Sequence, residues 1–208
     1  EITGIKERRY VEKDLLTSDI AAKALQDTKY DLDSLDYLLV ASKFGDITEE
    51  HYQVDIVPGI AAKTKLKAEI KNARTVALDL VCGCPGWLET AIFAHSLIQS
   101  GLAKRVGTVG AETLSRVCDP HDMDSMIYSD GAGAVIFEAR ESNNLEGVIS
   151  VSERTDQEYS HLLKMGKSNN PNYENQNRLF LKMDGHELYK YALRKVPEVI
   201  RESLSKAE

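Results

Sequence analysis

TVALDLVCGCPGWLETAIFAHSLIQS, residues 75–100, decides how the rest of the chain is read. Thr75 to Val81 is apolar and partly β-branched, with one charge at Asp79, and reads as a buried strand. It runs into Cys82-Gly83-Cys84-Pro85-Gly86, and a helical pattern follows from Trp87 to Ser100. Leu88, Ile92 and Ser96 stack on one face of that helix, with Ala91, His95 and Ile98 alongside, and Gly101 is the expected stop. Proline is favoured at the first helical position, where its missing N–H is not needed. Pro85 therefore predicts Cys84 at the N-cap, on the corner between strand and helix.

That placement has chemical consequences. A free thiol with a pKa near ~8.5 is only a few per cent thiolate at neutral pH. The unpaired N–H groups and positive dipole end of a helix favour the anion. Gly86, lacking a Cβ, lets a ligand or the backbone approach closely. A thiol on such a corner suits nucleophilic acyl transfer. The competing reading is a small apolar residue buried at a turn, as free cysteines usually are.

Composition narrows the classes. The chain has 208 residues, 42% hydrophobic and 28% charged, the balance of a globular protein with a substantial core. It begins at Glu1 and ends in a polar helical run, so it reads as a fragment. A net charge of −7 argues against nucleic-acid binding, and no apolar run reaches membrane-spanning length. Three cysteines without scaffold spacing point to a reducing, cytoplasmic compartment. Cys82 and Cys84 lack a second Cys/His pair at zinc spacing, so no metal site is expected, and Cys118 reads as a buried small residue.

In chain order, Ser18 is expected to cap a helix through Asp27, Leu35 to Ala41 reads as a strand, and Pro58-Gly59 introduces a helix at Ile60 to Ala68. Lys63, Lys65, Lys67, Lys71 and Arg74 are read as a solvated basic face, with docking of an acidic partner as the alternative. Val106 to Ala111 is a further buried strand. Asp130-Gly131-Ala132-Gly133-Ala134 precedes the strand Val135 to Phe137, so it is no phosphate loop, and its small residues are expected to permit close backbone packing. Leu145 to Val151 is another strand candidate, and a long polar segment then runs to Asn177. Arg178 to Met183 alternates as a strand, and Asp184 with Glu187 caps a last helix. Leu188, Tyr191, Ala192, Val199 and Ile200 carry its apolar face, and Pro197 is expected to kink it. Alternating strands and helices imply an α/β fold with layers about a largely parallel sheet. The expected organisation is residues 1–150 as the nucleophile-bearing half, 151–183 as a polar loop and strand, and 184–208 as the first helix of a second half.

The order of these pieces resembles the β-ketoacyl–acyl carrier protein synthase III family of thiolase-like condensing enzymes. TGIKERR at Thr3–Arg9, DLVCGCPGWLETA at Asp79–Ala91, VGAETLSRVCDPHD at Val109–Asp122 and YSDGAGAVI at Tyr128–Ile136 carry the resemblance, which covers almost the whole chain. It implies a thiolase-like layered α/β fold, here incomplete, without its first strand and with only the start of its second half. It makes Cys84 the acylated nucleophile, with its own N–H as half of an oxyanion hole. Leu114 and Tyr128 match positions lining the acyl pocket, and Asp130, Gly131 and Gly133 match a structural glycine motif. The implied reaction takes an acyl group from coenzyme A onto Cys84, then condenses it with decarboxylating malonyl–acyl carrier protein. No cofactor is implied, acyl-coenzyme A being substrate, and a homodimer is expected.

Departures from the family pattern bear on the substrate. Met123 stands where the resemblance calls for an arginine that brackets the coenzyme A adenine, which opens the door to a carrier-bound donor. Val57 replaces a common aromatic, a change in the direction of a longer acyl tunnel. The second-half His and Asn are not matched by His51, His95, His121, His161 or His186, so these 208 residues are not expected to complete a condensation. The alternatives are a non-decarboxylating acyltransferase of the same fold and a non-catalytic partner subunit.

Overall fold

The computed structural model describes residues 4–48, 54–144 and 146–208. In chain order it contains α1 (Thr17–Asp27), β1 (Tyr37–Ala41), β2 (Asp46–Ile47), β3 (Val54–Asp55), α2 (Ile60–Lys67), β4 (Val76–Leu80), α3 (Gly86–Gln99), β5 (Arg105–Thr113), β6 (Asp130–Glu138), β7 (Leu163–Gly166), β8 (Phe180–Met183) and α4 (Gly185–Ala207). The described residues form two compact units, one drawn from residues 9–116 with 129–141, the other from 4–8, 117–128 and 142–208. These units interleave in sequence, unlike the consecutive segments expected.

The larger unit is a four-stranded sheet in the order β4-β1-β5-β6. β1 pairs in parallel with β4 and β5, and β6 runs antiparallel to β5. β1 is fully buried at Leu38, Leu39 and Val40 because both its faces are covered. Leu38 and Val40 join Ala21 and Leu25 of α1 and Ile60 and Ala61 of α2 in one cluster. Leu39 turns the other way and packs with Ala94 and Leu97 of α3 and with Val106. The period of two along β1 therefore sets a three-layer arrangement, helices on both faces of the sheet.

Several local expectations change. β4 lies at the sheet edge and not in its centre, so Val76 and Leu78 are 41% and 37% exposed. α1 starts at Thr17, with Leu16 as its N-cap, and Asp19 accepts from the Leu16 N–H at 2.8 Å. Ser18 does not cap it; its N–H and hydroxyl both donate to the buried Asp46. The lysines of α2 are largely committed inside the unit: Lys63 to Asp55 and Asp46, Lys65 to the Thr75 carbonyl, Lys67 to Asp19. That removes most of the free basic face that an acidic partner would need.

The smaller unit contains the β7–β8 hairpin and α4. Asp184 caps α4 by accepting from the Glu187 N–H at 3.2 Å, as the spacing predicts. The helix is continuous through Pro197. Ile200, placed on the apolar face from sequence, is 53% exposed. Residues 146–151 form no strand, and Leu145 lies outside the described residues. The polar segment is tied along α4 instead: Ser150 to Ser203, Arg154 to Glu198, and the Tyr191 hydroxyl to Asp156.

Candidate active site

The chain leaves β4 at Leu80, whose carbonyl accepts from the Cys82 N–H at 2.9 Å and the Ser42 N–H at 3.2 Å. The Gly86 N–H then donates to the Gly83 carbonyl at 2.8 Å, closing a turn across Cys84 and Pro85. Pro85 is the N-cap of α3 (φ −81°, ψ 1°), so Cys84 stands one residue ahead of the cap and not on it. Its thiol is free and exposed, and Cys82 is half-buried. No partner is found for the Cys84 N–H among the described residues. This is the strand-to-helix corner the sequence implies, moved by one position.

Gly86 has a definite role there. A Cβ at Gly86 would lie 2.9 Å from the Ala41 Cβ and 3.4 Å from the Cys82 Cβ. The close approach expected at Gly86 is therefore to strand β1. One residue on, Trp87 covers Gly110 of β5, where a Cβ would come within 3.0 Å of the indole stem. Both contacts seat the first turn of α3 on the sheet.

Two carboxylates hold the surroundings of the corner. Asp79, the lone charge of β4, accepts from the Ile60 and Ala61 N–H groups at 3.0 and 2.7 Å and so caps α2. Glu112, near the end of β5, accepts from the Ser42 hydroxyl at 3.0 Å and from the Lys43 and Phe44 N–H groups at 2.7 and 3.3 Å. Burial raises the Glu112 carboxyl above its ordinary value, against the pull of these donors. The sequence does not single out Glu112; the available signal is an acidic side chain directly after the run Val106–Ala111.

The other predicted residues fall as follows. Leu114 is half-buried in the larger unit, in a short 3-10 turn after β5. Tyr128 belongs to the smaller unit, where its hydroxyl lies 3.5 Å from the Met183 sulfur. Asp130 to Ala134 lie inside β6, paired with β5, and not ahead of a strand. Asp130 accepts from the Val11 N–H and from the N–H and hydroxyl of Ser115, a junction of three chain segments. A Cβ at Gly131 or Gly133 would meet nothing within 4 Å, so the close packing expected of them is not present among the described residues. Val57 is 80% exposed, His95 is half-buried on α3, and His51 lies outside the described residues.

The smaller unit carries its own polar centre. Asp119 is fully buried and accepts from Lys182 Nζ, the Ser168 hydroxyl and the Asn169 and His121 N–H groups at 2.5–3.0 Å. Burial alone would raise its pKa, but Lys182 and the other donors outweigh it and hold the carboxyl far below the usual range. Lys182 also reaches Asp122 at 2.9 Å and Asn169 at 2.9 Å. A cavity of about 740 Å³ beside it is lined by Asp122, Asp124, Lys164, Lys182, Gly185 and His186 among others, a wall of both signs. Among the described residues no group of three His, Cys, Asp or Glu side chains is placed to hold a metal ion.

Comparison with known proteins follows the same residues. The family model described as 3-oxoacyl-[acyl-carrier-protein (ACP)] synthase III matches residues 78–157, a span that contains the corner and the DGAGA segment. A β-ketoacyl-[acyl-carrier-protein] synthase III of Cereibacter sphaeroides is 30% identical over 213 residues, 99% of this chain and 62% of its own length. A synthase of the same name from Fusobacterium nucleatum is 32% identical over 216 residues, with the same coverage. The crystal structure of a β-ketoacyl-[acyl carrier protein] synthase III from Thermus thermophilus superimposes with a TM-score of 0.79 at 30% identity, covering 99% of this chain and 62% of that one. The fold is thus the thiolase-like α/β fold that the motif order implies. The chain spans about three fifths of the length of these relatives. By matched sequence, motif order and fold, the chain is similar to β-ketoacyl-[acyl-carrier-protein] synthases III over about three fifths of their length.

Proposed function

We propose that Cys84 accepts an acyl group from an acyl-coenzyme A or a related thioester. The observation that carries this is an exposed thiol on the turn into α3, with no described partner on its own N–H. Attack of the sulfur on the thioester carbonyl forms a tetrahedral oxyanion, which the Cys84 N–H receives as one of two donors. Collapse expels the coenzyme A thiolate and leaves the acyl group on Cys84. In the whole protein, malonyl–acyl carrier protein then loses carbon dioxide, its carbanion forms the new C–C bond with the acyl carbonyl, and the Cys84 thiolate is released. Leu114, in the turn after β5, shapes the acyl chain's surroundings, no cofactor takes part, and the work is done in the cytoplasm, in fatty acid or polyketide priming.

Retention of Cys84 favours this over a non-catalytic partner subunit. A homodimer is part of the proposal. It is supported by the open edge of β4 with Val76 and Leu78, and by the 58% exposed Leu88 of α3. Incubation with a short acyl-coenzyme A, followed by peptide mapping, tests the acyl-transfer reading: the adduct is expected on Cys84. An adduct on Cys82 or Cys118 in its place would overturn it.

A further inference from the structure

We infer that Glu112 is a positioning residue for the nucleophile, acting on Cys84 through the loop that follows β1. Two anchors connect them. The corner at residues 82–86 is fixed at one end by the Leu80 carbonyl, which the Ser42 and Cys82 N–H groups share. At the other end it is fixed by the seat of Gly86 on Ala41. Both anchors therefore lead to residues 41 and 42, where β1 gives way to loop. Three donors in succession, the Ser42 hydroxyl and the N–H groups of Lys43 and Phe44, converge on the Glu112 carboxylate.

The loop is closed from its other side as well. The Gly45 N–H donates to the Ser42 hydroxyl oxygen at 3.0 Å, and the Gly45 carbonyl accepts from Thr17 at 2.7 Å. Ser42 is 5% exposed, so water cannot readily take the place of the carboxylate. A Gln at 112 has nearly the same shape but turns one acceptor oxygen into an NH₂ donor facing donors. The loop then loses part of its hold, and both anchors move with it. Nothing in this chain of contacts touches the thiol, which is why the role is positional.

The role in acyl transfer rests on the reading of Cys84 given above, so the test has two readouts. Glu112→Gln and Ser42→Ala variants of the 208-residue chain are compared with the parent protein. The first readout is the rate of iodoacetamide alkylation at Cys84 relative to Cys118, resolved by peptide mapping. The second is single-turnover acylation by acetyl-coenzyme A over a range of concentrations. Misplacement of a reacting group by about 1 Å costs up to roughly 100-fold. Glu112→Gln is accordingly expected to slow acylation at saturation by about 10-fold or more, with the half-saturating concentration little changed, and to slow alkylation of Cys84 but not of Cys118. Ser42→Ala removes one of the three donors and is expected to give a smaller selective effect. If Glu112→Gln does not fold, Ser42→Ala decides the matter. Equal rates at Cys84, or equal slowing at both cysteines, overturns the inference. Selective slowing of alkylation in a protein whose parent form takes no acyl group would retain the positioning role and remove the acyl-transfer reading.

Discussion

Replacing Asp119 with Asn puts the polar centre of the smaller unit to a quantitative test. The Asp119 carboxylate is fully buried and accepts from one ammonium, one hydroxyl and two backbone N–H groups. Asparagine keeps the shape, removes the charge and presents an NH₂ to donors that need an acceptor. Lys182 keeps Asp122 and Asn169, so its charge is not stranded. The loss is then that of charge-assisted bonds at about 1.5–3 kcal/mol plus one mismatched buried donor, and a net destabilisation of about 3 kcal/mol is expected. Urea unfolding followed by hydrogen exchange in β7 and β8 measures it. The pH dependence gives a second check. A carboxyl held below its ordinary 3.8 contributes stability above that value and loses it as pH falls toward the folded-state value. The parent protein should therefore weaken steeply below about pH 4, and Asp119→Asn should flatten that limb. A loss under about 1 kcal/mol with an unchanged acid limb would show that Asp119 does not hold this centre together.

Other substitutions probe the larger unit. Asp79→Ala removes the acceptor for two N–H groups of α2 and should cost about 1–2 kcal/mol, seen as faster hydrogen exchange at Ile60 and Ala61. Gly86→Ala forces a Cβ to 2.9 Å from that of Ala41, so about 1–3 kcal/mol of strain and slower labelling of Cys84 are expected in denaturation and alkylation assays. Leu39→Ala empties a fully buried position between β1 and α3 and should cost about 2–5 kcal/mol in urea unfolding.

What could be read in the sequence was local and periodic. The run Leu35–Ala41 and the pattern Trp87–Ser100 lie within two residues of β1 and α3, because apolar spacing alone sets those elements. Gly101 ends α3 at φ +75°, a left-handed conformation that glycine adopts freely. The edge exposure of β4 is not legible in sequence, since an apolar run is the same in a central and an edge strand; only pairing partners distinguish them. The DGAGA segment, poor in β-propensity, is held as strand by its register against β5, which no window of sequence reveals. Asp119 and Lys182 are 63 residues apart, and the signal was a lone lysine in the apolar stretch FLKM. At the corner, one residue separated expectation from structure: Pro85 serves as cap, not as first helical residue, because Gly86 is the residue that fits against Ala41.

Intact-mass measurement of acyl uptake by the parent chain and by Cys82→Ser and Cys84→Ser variants decides whether Cys84 is the acylated nucleophile. One acyl group is expected on the parent and on Cys82→Ser, and none on Cys84→Ser. Uptake by Cys84→Ser equal to that of the parent would contradict it.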